Sequence, residues 1–359
     1  MTPGPTRVPE RVLQAGARPM LHHRSPEFSA ELATALRHLQ PIFGTRNPVL
    51  PVHTTGRGAL EAAICNLFSP GDEIVACCNG KFGEMWATLA ESYGLVVHRV
   101  ATDWARDVDP AEIDRVLATH RSVRAVTIAY CDTSTGVAAD IETVSRIGAA
   151  HDVLTLVDGI SSIGGMPFAF DAWNVDLAVV ASQKCLMSSP GLSFAVLSDR
   201  AWRAVSRGRI PRSYWDFTAI RDIVTKERPE TPGTAPVHLV LQVAEATRLI
   251  HAEGLAAFQA RHDRTARHTR QRVADLGLTM QCPALSRFAS VVTAIALPAG
   301  MAPKAVRDAL KARGIFTGAG MGRFEALGMR IGHMGDIREA DVDRTLDALA
   351  DVLAALGHG

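Results

Sequence analysis

Short apolar runs alternate along this chain with longer stretches that repeat at helical spacing. Ala59, Leu60, Ala62, Ala63 and Leu67 share one helical stripe, so a helix is expected to begin near Gly56. Ser69-Pro70-Gly71-Asp72 then makes a turn, and residues 73–78 read as a buried strand. The alternation continues with helices over 82–93, 110–119 and 141–150, and with strands over 96–100, 125–130 and 153–157. Shorter strands are expected around 177–180 and 193–196. Strands separated by helices imply crossover units and therefore an α/β fold, a mostly parallel central sheet flanked by helices. Ligands of such sheets bind beyond the carboxyl ends of the strands, so the residues that follow each strand are the ones to examine for chemistry.

The flanks read differently. Residues 1–25 are rich in Pro, Arg and His and are expected to lack regular structure, with a helix following over 29–38. Residues 198–236 show no clear period. A long helix over 237–253 leads to a smaller α+β C-terminal part, with helices over 265–276, 303–313 and 340–356, a strand over 291–297 and a strand end at 329–332. The expected division is an N-terminal segment (1–25) near the site, a large α/β domain (26–253) and a small domain (254–359). Gly318-Ala-Gly320-Met-Gly322 reads as a flexible loop.

Composition narrows the class. The 359 residues suffice for two cores, and 47% hydrophobic with 21% charged residues is the balance of a soluble globular protein. The 38 basic and 37 acidic residues nearly cancel, which argues against nucleic acid or an anionic membrane as partner. Any anionic ligand must then be gripped by a few local cations. The six cysteines form no C-x-x-C pair and sit in apolar runs, as buried free thiols of a reducing compartment do. Adjacent Cys77 and Cys78 would face opposite sides of a strand, so no metal site is expected from them. Pro3, Pro5 and Pro9 interrupt the start of the chain without an apolar core, and no apolar stretch is long enough to span a bilayer. The expected compartment is the cytoplasm.

Two strand ends carry the candidate chemistry. The run Val153-Leu-Thr-Leu-Val-Asp158 ends in a carboxylate at the ligand-bearing rim, where burial demands a cationic or donor partner. Taken alone, Asp158 also reads as a turn residue before Gly159. Lys184 follows the Val179-Val180 strand among small and apolar residues, where an ammonium resists burial and becomes a nucleophilic amine. Alone, it also reads as a lysine snorkelling at a strand end. Together the two residues match what pyridoxal 5'-phosphate requires, an amine to form an imine and a carboxylate to keep the pyridine nitrogen protonated. Thr54-Thr55-Gly56-Arg57-Gly58 opens a helix and offers amides, hydroxyls and close backbone approach to a phosphate, although a capped helix start has the same composition.

Further segments carry a resemblance to a known family. They are Gly4-Pro5, His23-Arg24-Ser25-Pro26-Glu27-Phe28, Thr55-Gly56-Arg57-Gly58-Ala59-Leu60-Glu61-Ala62, Asn79-Gly80-Lys81-Phe82-Gly83 and Cys131-Asp132-Thr133-Ser134-Thr135-Gly136. Val157-Asp158-Gly159-Ile160-Ser161-Ser162, Gln183-Lys184, Pro190-Gly191, Thr231-Pro-Gly-Thr234 and Arg330-Ile-Gly-His-Met-Gly335 complete them. In this order, over almost the whole chain, they resemble the class V, fold-type I aminotransferases, in particular the alanine–glyoxylate and serine–pyruvate group.

The resemblance implies a role for each matching residue. Lys184 would be the Schiff-base lysine and the base of the proton shift, and Asp158 the partner of the pyridine nitrogen. Phe82 would stack on the ring, and Thr133 would bond near its hydroxyl. Thr55, Gly56, Arg57 and Gln183 would line the phosphate site, and Thr234 would reach the phosphate of a partner subunit, so that the site forms in a homodimer. Arg330 would grip the substrate carboxylate, as a planar guanidinium can, with Gly4 and Arg24 also near the substrate. Three positions depart from the pattern. Arg57 stands where many relatives carry a small, polar or His residue, Phe82 where the animal enzymes carry an indole, and Thr231 where those enzymes carry a phenol.

The implied reaction is transfer of an amino group from a small amino acid, alanine or serine, to a 2-oxo acid, glyoxylate or pyruvate. Alternatives on the same fold are donors such as phosphonates, ureidoglycine or pyridoxamine, and β-elimination or cysteine desulfuration, for which Cys282 before Pro283 would offer a thiol. A protein that binds the cofactor without catalysis is disfavoured by retention of both Lys184 and Asp158.

Overall fold

The computed structural model describes residues 1–101 and 103–357. The chain opens with α1 (Glu10–Gly16) and α2 (Pro26–Phe43), followed by β1 (Val49–Val52), α3 (Gly56–Leu67), β2 (Glu73–Cys77), α4 (Lys81–Ser92) and β3 (Val96–Val100). Next come α5 (Pro110–Thr119), β4 (Val123–Ala129), a short hairpin of β5 (Cys131–Asp132) and β6 (Val137–Ala138), and α6 (Ile141–Ala150). Three strands follow, β7 (Leu154–Asp158), β8 (Leu177–Ala181) and β9 (Ser193–Leu197), and then four helices, α7 (Asp199–Val205), α8 (Phe217–Val224), α9 (Val237–Glu253) and α10 (Leu255–Asp275). The last part holds β10 (Thr279–Met280), β11 (Val292–Ala296), α11 (Pro303–Ala312), β12 (Gly318–Ala319), β13 (Gly328–Gly332) and α12 (Glu339–Ala355).

Seven strands form one sheet in the order β1-β9-β8-β7-β4-β2-β3. From β3 to β8 every neighbouring pair is parallel, as the helix crossovers require. The pairs β8–β9 and β1–β9 are antiparallel. All residues of β7, β8 and β9 are buried, because both faces of the sheet are covered. Side chains alternate between two cores. Val157, Ala178 and Val180 pack with Leu32, Leu39 and Phe43 of α2 and Val240 and Ala244 of α9. Leu156, Leu177 and Val179 turn the other way, onto Leu60, Ala63 and Ile64 of α3. A second, antiparallel sheet, β10-β11-β13-β12, buries Ile295, Met329 and Ile331 against Val306 and Leu310 of α11 and Val342, Leu346 and Leu349 of α12.

Several expectations are corrected. The first 25 residues contain a helix, α1, which buries Val12 and packs along α9. Helix α2 is longer than 29–38, because the Ser25 side chain accepts from Phe28 N with Pro26 in the first turn, and the helix runs on to a left-handed Gly44 at φ 66°. Residues 198–236 carry two short capped helices, α7 and α8, started by Ser198 and Asp216. Helix α10 begins ten residues before the expected Thr265, at Leu255. The glycine run at 318–322 is not merely a loop. It contributes β12 to the second sheet, pairing Gly318 with Arg330.

Candidate active site

The carboxyl ends of three parallel strands converge on one cavity. Strand β7 ends on Asp158, β8 is followed by Lys184, and β4 runs into the hairpin that carries Cys131 and Asp132. The amino ends of α3 and α4 close the same space. The cavity encloses about 270 Å3 and is lined by Gly4, Thr55, Gly56, Arg57, Phe82, Asp158, Gln183 and Lys184, with Cys131, Ile160 and Ser161 also on its wall. Eight of the residues singled out in the sequence thus meet around one space.

Local structure explains why Lys184 points there. After β8, Ser182 N bonds to Leu192 O, Met187 N to Lys184 O and Ser188 N to Ser182 O, which folds the chain into a tight turn. The N-terminal segment lies over this turn, with Thr6 N donating to Gln183 O and Lys184 Nζ donating to Pro3 O at 2.6 Å. Gly4 sits at φ 114°, a backbone conformation that favours glycine, and a Cβ there would lie 2.5 Å from Lys184 Nζ and displace the amine.

Asp158 is 5% exposed, and its Oδ1 accepts from Ile160 N at 2.9 Å. Among the described residues its other oxygen receives no hydrogen bond. Burial pushes the carboxyl up to about 7, against the Ile160 amide, and the nearby Asp132 charge adds to the rise while Lys184 opposes it. Burial lowers the Lys184 ammonium, and the Arg330 charge lowers it further. Both groups are poised nearer neutrality than ordinary carboxylates and lysines.

Asp132 organises the opposite wall. Its Oδ2 accepts from Phe82 N at 2.9 Å and Gly83 N at 3.1 Å, capping α4, and its Oδ1 accepts from Ser134 N and Oγ. Ser134 Oγ in turn accepts from Lys81 N. Phe82 therefore reaches the cavity from a helix start fixed by a buried carboxylate.

Arg330 in β13 approaches from the second sheet. Its Nε donates to Ala319 O at 2.6 Å and its Nη1 to Thr133 O at 2.9 Å, while burial brings the guanidinium down to about 10. Among the described residues Nη2 has no protein acceptor. Two buried polar atoms are also left without protein partners, Thr133 Oγ1 and Gln183 Oε1. Orphaned groups of this kind cost free energy unless a ligand or water meets them. A planar, phosphorylated, aldehyde-bearing ring suits this set, with a free carboxylate oxygen, an amine, a flat aromatic side chain, unpaired polar atoms and a helix amino end.

Four expected site residues lie apart from the cavity wall. Thr133 and Arg330 stand behind it, joined to each other. Arg24 is exposed and forms an ion pair with Glu230. Thr234 is exposed and does not line the cavity of its own chain. Cys282 is buried, its thiol pushed up to about 11 by burial, with Sγ 3.4 Å from Trp104 O, so it is not the mobile thiol that desulfuration needs. The sequence reading did not single out Asp132 or Pro3. The signal for Asp132 was present, an Asp followed two residues later by Ser, the pattern of a side chain that satisfies nearby amides.

The family profile described as aminotransferase class-V matches residues 2–338. The L-aspartate–glyoxylate aminotransferase of Paracoccus denitrificans is 36% identical over 362 residues, covering 99% of this chain and 91% of that protein. The soluble hydrogenase small subunit of Synechococcus sp. is also 36% identical, covering 100% of this chain and 93% of that one. The crystal structure of alanine–glyoxylate aminotransferase from Nostoc sp. superposes with a TM-score of 0.93 at 33% identity, covering 98% of this chain and 94% of the other.

Proposed function

Because the chain belongs to the class-V aminotransferases and has the fold-type I architecture, we propose that it moves an amino group from a small amino acid, alanine or serine, to glyoxylate or pyruvate, with pyridoxal 5'-phosphate held in the cavity around Lys184. The observation that carries this reading is the pairing of a depressed amine, Lys184, with a buried carboxyl, Asp158, on one cavity wall. When bound, the cofactor supplies an aldehyde that condenses with amines and a ring that draws electrons from the substrate carbon.

In this reading the residues divide the work. Lys184 Nζ would anchor the cofactor and afterwards take and return the migrating proton, which suits an amine whose basicity burial has reduced. The free oxygen of Asp158 would hold the ring-nitrogen proton, and the cation facing it would return the carboxyl to its charged form. Phe82 would cover the ring. Thr55, Gly56, Arg57 and Gln183 would meet the phosphate, using the amino end of α3, and Thr133 would reach the ring hydroxyl. Arg330, held on two carbonyls, would present Nη2 to the substrate carboxylate, with Gly4 and Arg24 at the entrance. Thr234 would serve the cavity of a partner subunit in a homodimer.

The hydrogenase name of one relative finds no matching donor set. All six cysteines are buried, and among the described residues the His, Cys, Asp and Glu cluster close enough to hold a metal contains no thiol, whereas iron–sulfur clusters are held by thiolates.

The test is a half-reaction. The cofactor-loaded protein mixed with alanine or serine alone should release one equivalent of keto acid, and glyoxylate added afterwards should be aminated to glycine, in ping-pong order. Lys184→Ala should abolish this exchange. Absence of keto acid across donor and acceptor panels would remove transamination of small amino acids as the function.

A further inference from the structure

Away from the catalytic cavity, at the edge of the central sheet, Glu73, His98 and His120 bring three ligand atoms together. Glu73 opens β2, His98 sits in the middle of the edge strand β3, and His120 closes the carboxyl end of α5. Each offers one donor atom, and all three atoms lie within 4.8 Å of one another. His98 Nε2 already touches Glu73 Oε2 at 2.8 Å, and the two imidazole rings stand 4.0 Å apart between centroids. From the geometry we propose that this triad binds a divalent transition-metal ion, Zn2+ being the best fit.

The chemistry favours that ion. Two imidazoles and a carboxylate are the donor types that zinc accepts, at bonds of about 2.0–2.2 Å, and three protein ligands leave a fourth tetrahedral position for solvent. Tetrahedral bonds of that length put neighbouring ligand atoms about 3.3 Å apart, so small side-chain rotations close the present spacing. Calcium and magnesium, which demand several oxygen ligands, are disfavoured. A second shell is already in place. The Ser122 hydroxyl donates to Glu73 Oε1 and so turns the other carboxylate oxygen towards His98. His120 is exposed, which gives the ion a way in.

The position separates this site from catalysis. Glu73 is the first residue of β2, whereas the cavity lies beyond the carboxyl ends of the parallel strands, so the length of a strand stands between them. A bound ion would add a link from the carboxyl end of α5 to the strands β2 and β3, which already share a parallel ladder.

The experiment is a titration of the metal-stripped full-length chain with Zn2+ by calorimetry, beside the variants His120→Ala and Glu73→Gln. His120 is exposed at a helix end and Glu73→Gln keeps the side-chain shape, so both variants should fold, which circular dichroism checks. The proposal expects one Zn2+ per wild-type chain, a rise in melting temperature with the metal, and at least a tenfold loss of affinity in each variant. Co2+ should give the visible absorption of a four-coordinate site in the wild type and lose it in His120→Ala. No uptake, or uptake unchanged by both substitutions, overturns the proposal.

Discussion

Asp158 shows how a single side chain can be stabilised by what it is waiting for. Its carboxyl is buried and held at about 7, above an ordinary value of 3.8. The folded, cofactor-free chain therefore keeps a proton that the unfolded chain gives up, and its stability falls as pH rises from about 4 to about 7. Asp158→Asn cannot ionise, so it should lose this dependence. Relative to the wild type, the cofactor-free variant should gain up to about 4 kcal/mol across that window, the limit set by 1.36 kcal/mol per pKa unit. Cofactor affinity should fall in the same variant, because the ring nitrogen loses its anion. Denaturant melts at several pH values and a cofactor titration check both halves, and parallel pH profiles for the two proteins would refute the first. Asp158 and Lys184 were visible in the sequence because one ends an apolar strand and the other closely follows the next, each with a group that burial penalises. For Asp132 only the local half of its work was legible, the Asp-x-Ser pattern that bonds Ser134; its bonds to the amides of Phe82 and Gly83 lie on another element, and no local period records such a long-range partner.

Among the elements, α4 depends on a close backbone approach beside the site. Gly83 packs on the end of β2, where a Cβ would lie 2.1 Å from the carbonyl oxygen of Cys77. Gly83→Ala must push the helix outward, so it should destabilise the protein by about 1–3 kcal/mol, the usual cost of overpacking, and move Phe82 from the cavity. Urea melts measure the first effect, and reduced cofactor affinity reports the second. An unchanged midpoint would show that α4 yields freely. The helix and strand succession from α3 to β8 was legible because its apolar positions follow the two backbone periods over sufficient length. Strand β1 escaped because Pro51 interrupts its pattern, and it is tolerated there because β1 is an edge strand. Helices α7 and α8 were missed because seven or eight residues hold barely two turns. The antiparallel setting of β9 was not readable, since alternation along a strand is the same in either direction.

At the scale of the whole molecule, the question is which chain completes which cavity. Thr234 is exposed and stands away from the space that holds Lys184 of its own chain. If each cavity of the proposed homodimer takes Lys184 from one subunit and Thr234 from the other, the two positions belong to different chains at every site. A mixed dimer of a Lys184→Ala chain and a Thr234→Ala chain then concentrates both substitutions in one cavity and leaves the second intact. Separately, the first variant should be inactive and the second should bind the cofactor weakly. Unfolded and refolded together in equal amounts, they should recover roughly a quarter of wild-type activity at limiting cofactor, since half the dimers are mixed and each holds one good site of two. Recovery of that size is not available to a protein whose sites lie within single chains. A mixture no better than the mean of its two components would place Thr234 outside the shared site and leave each subunit to complete its own cavity.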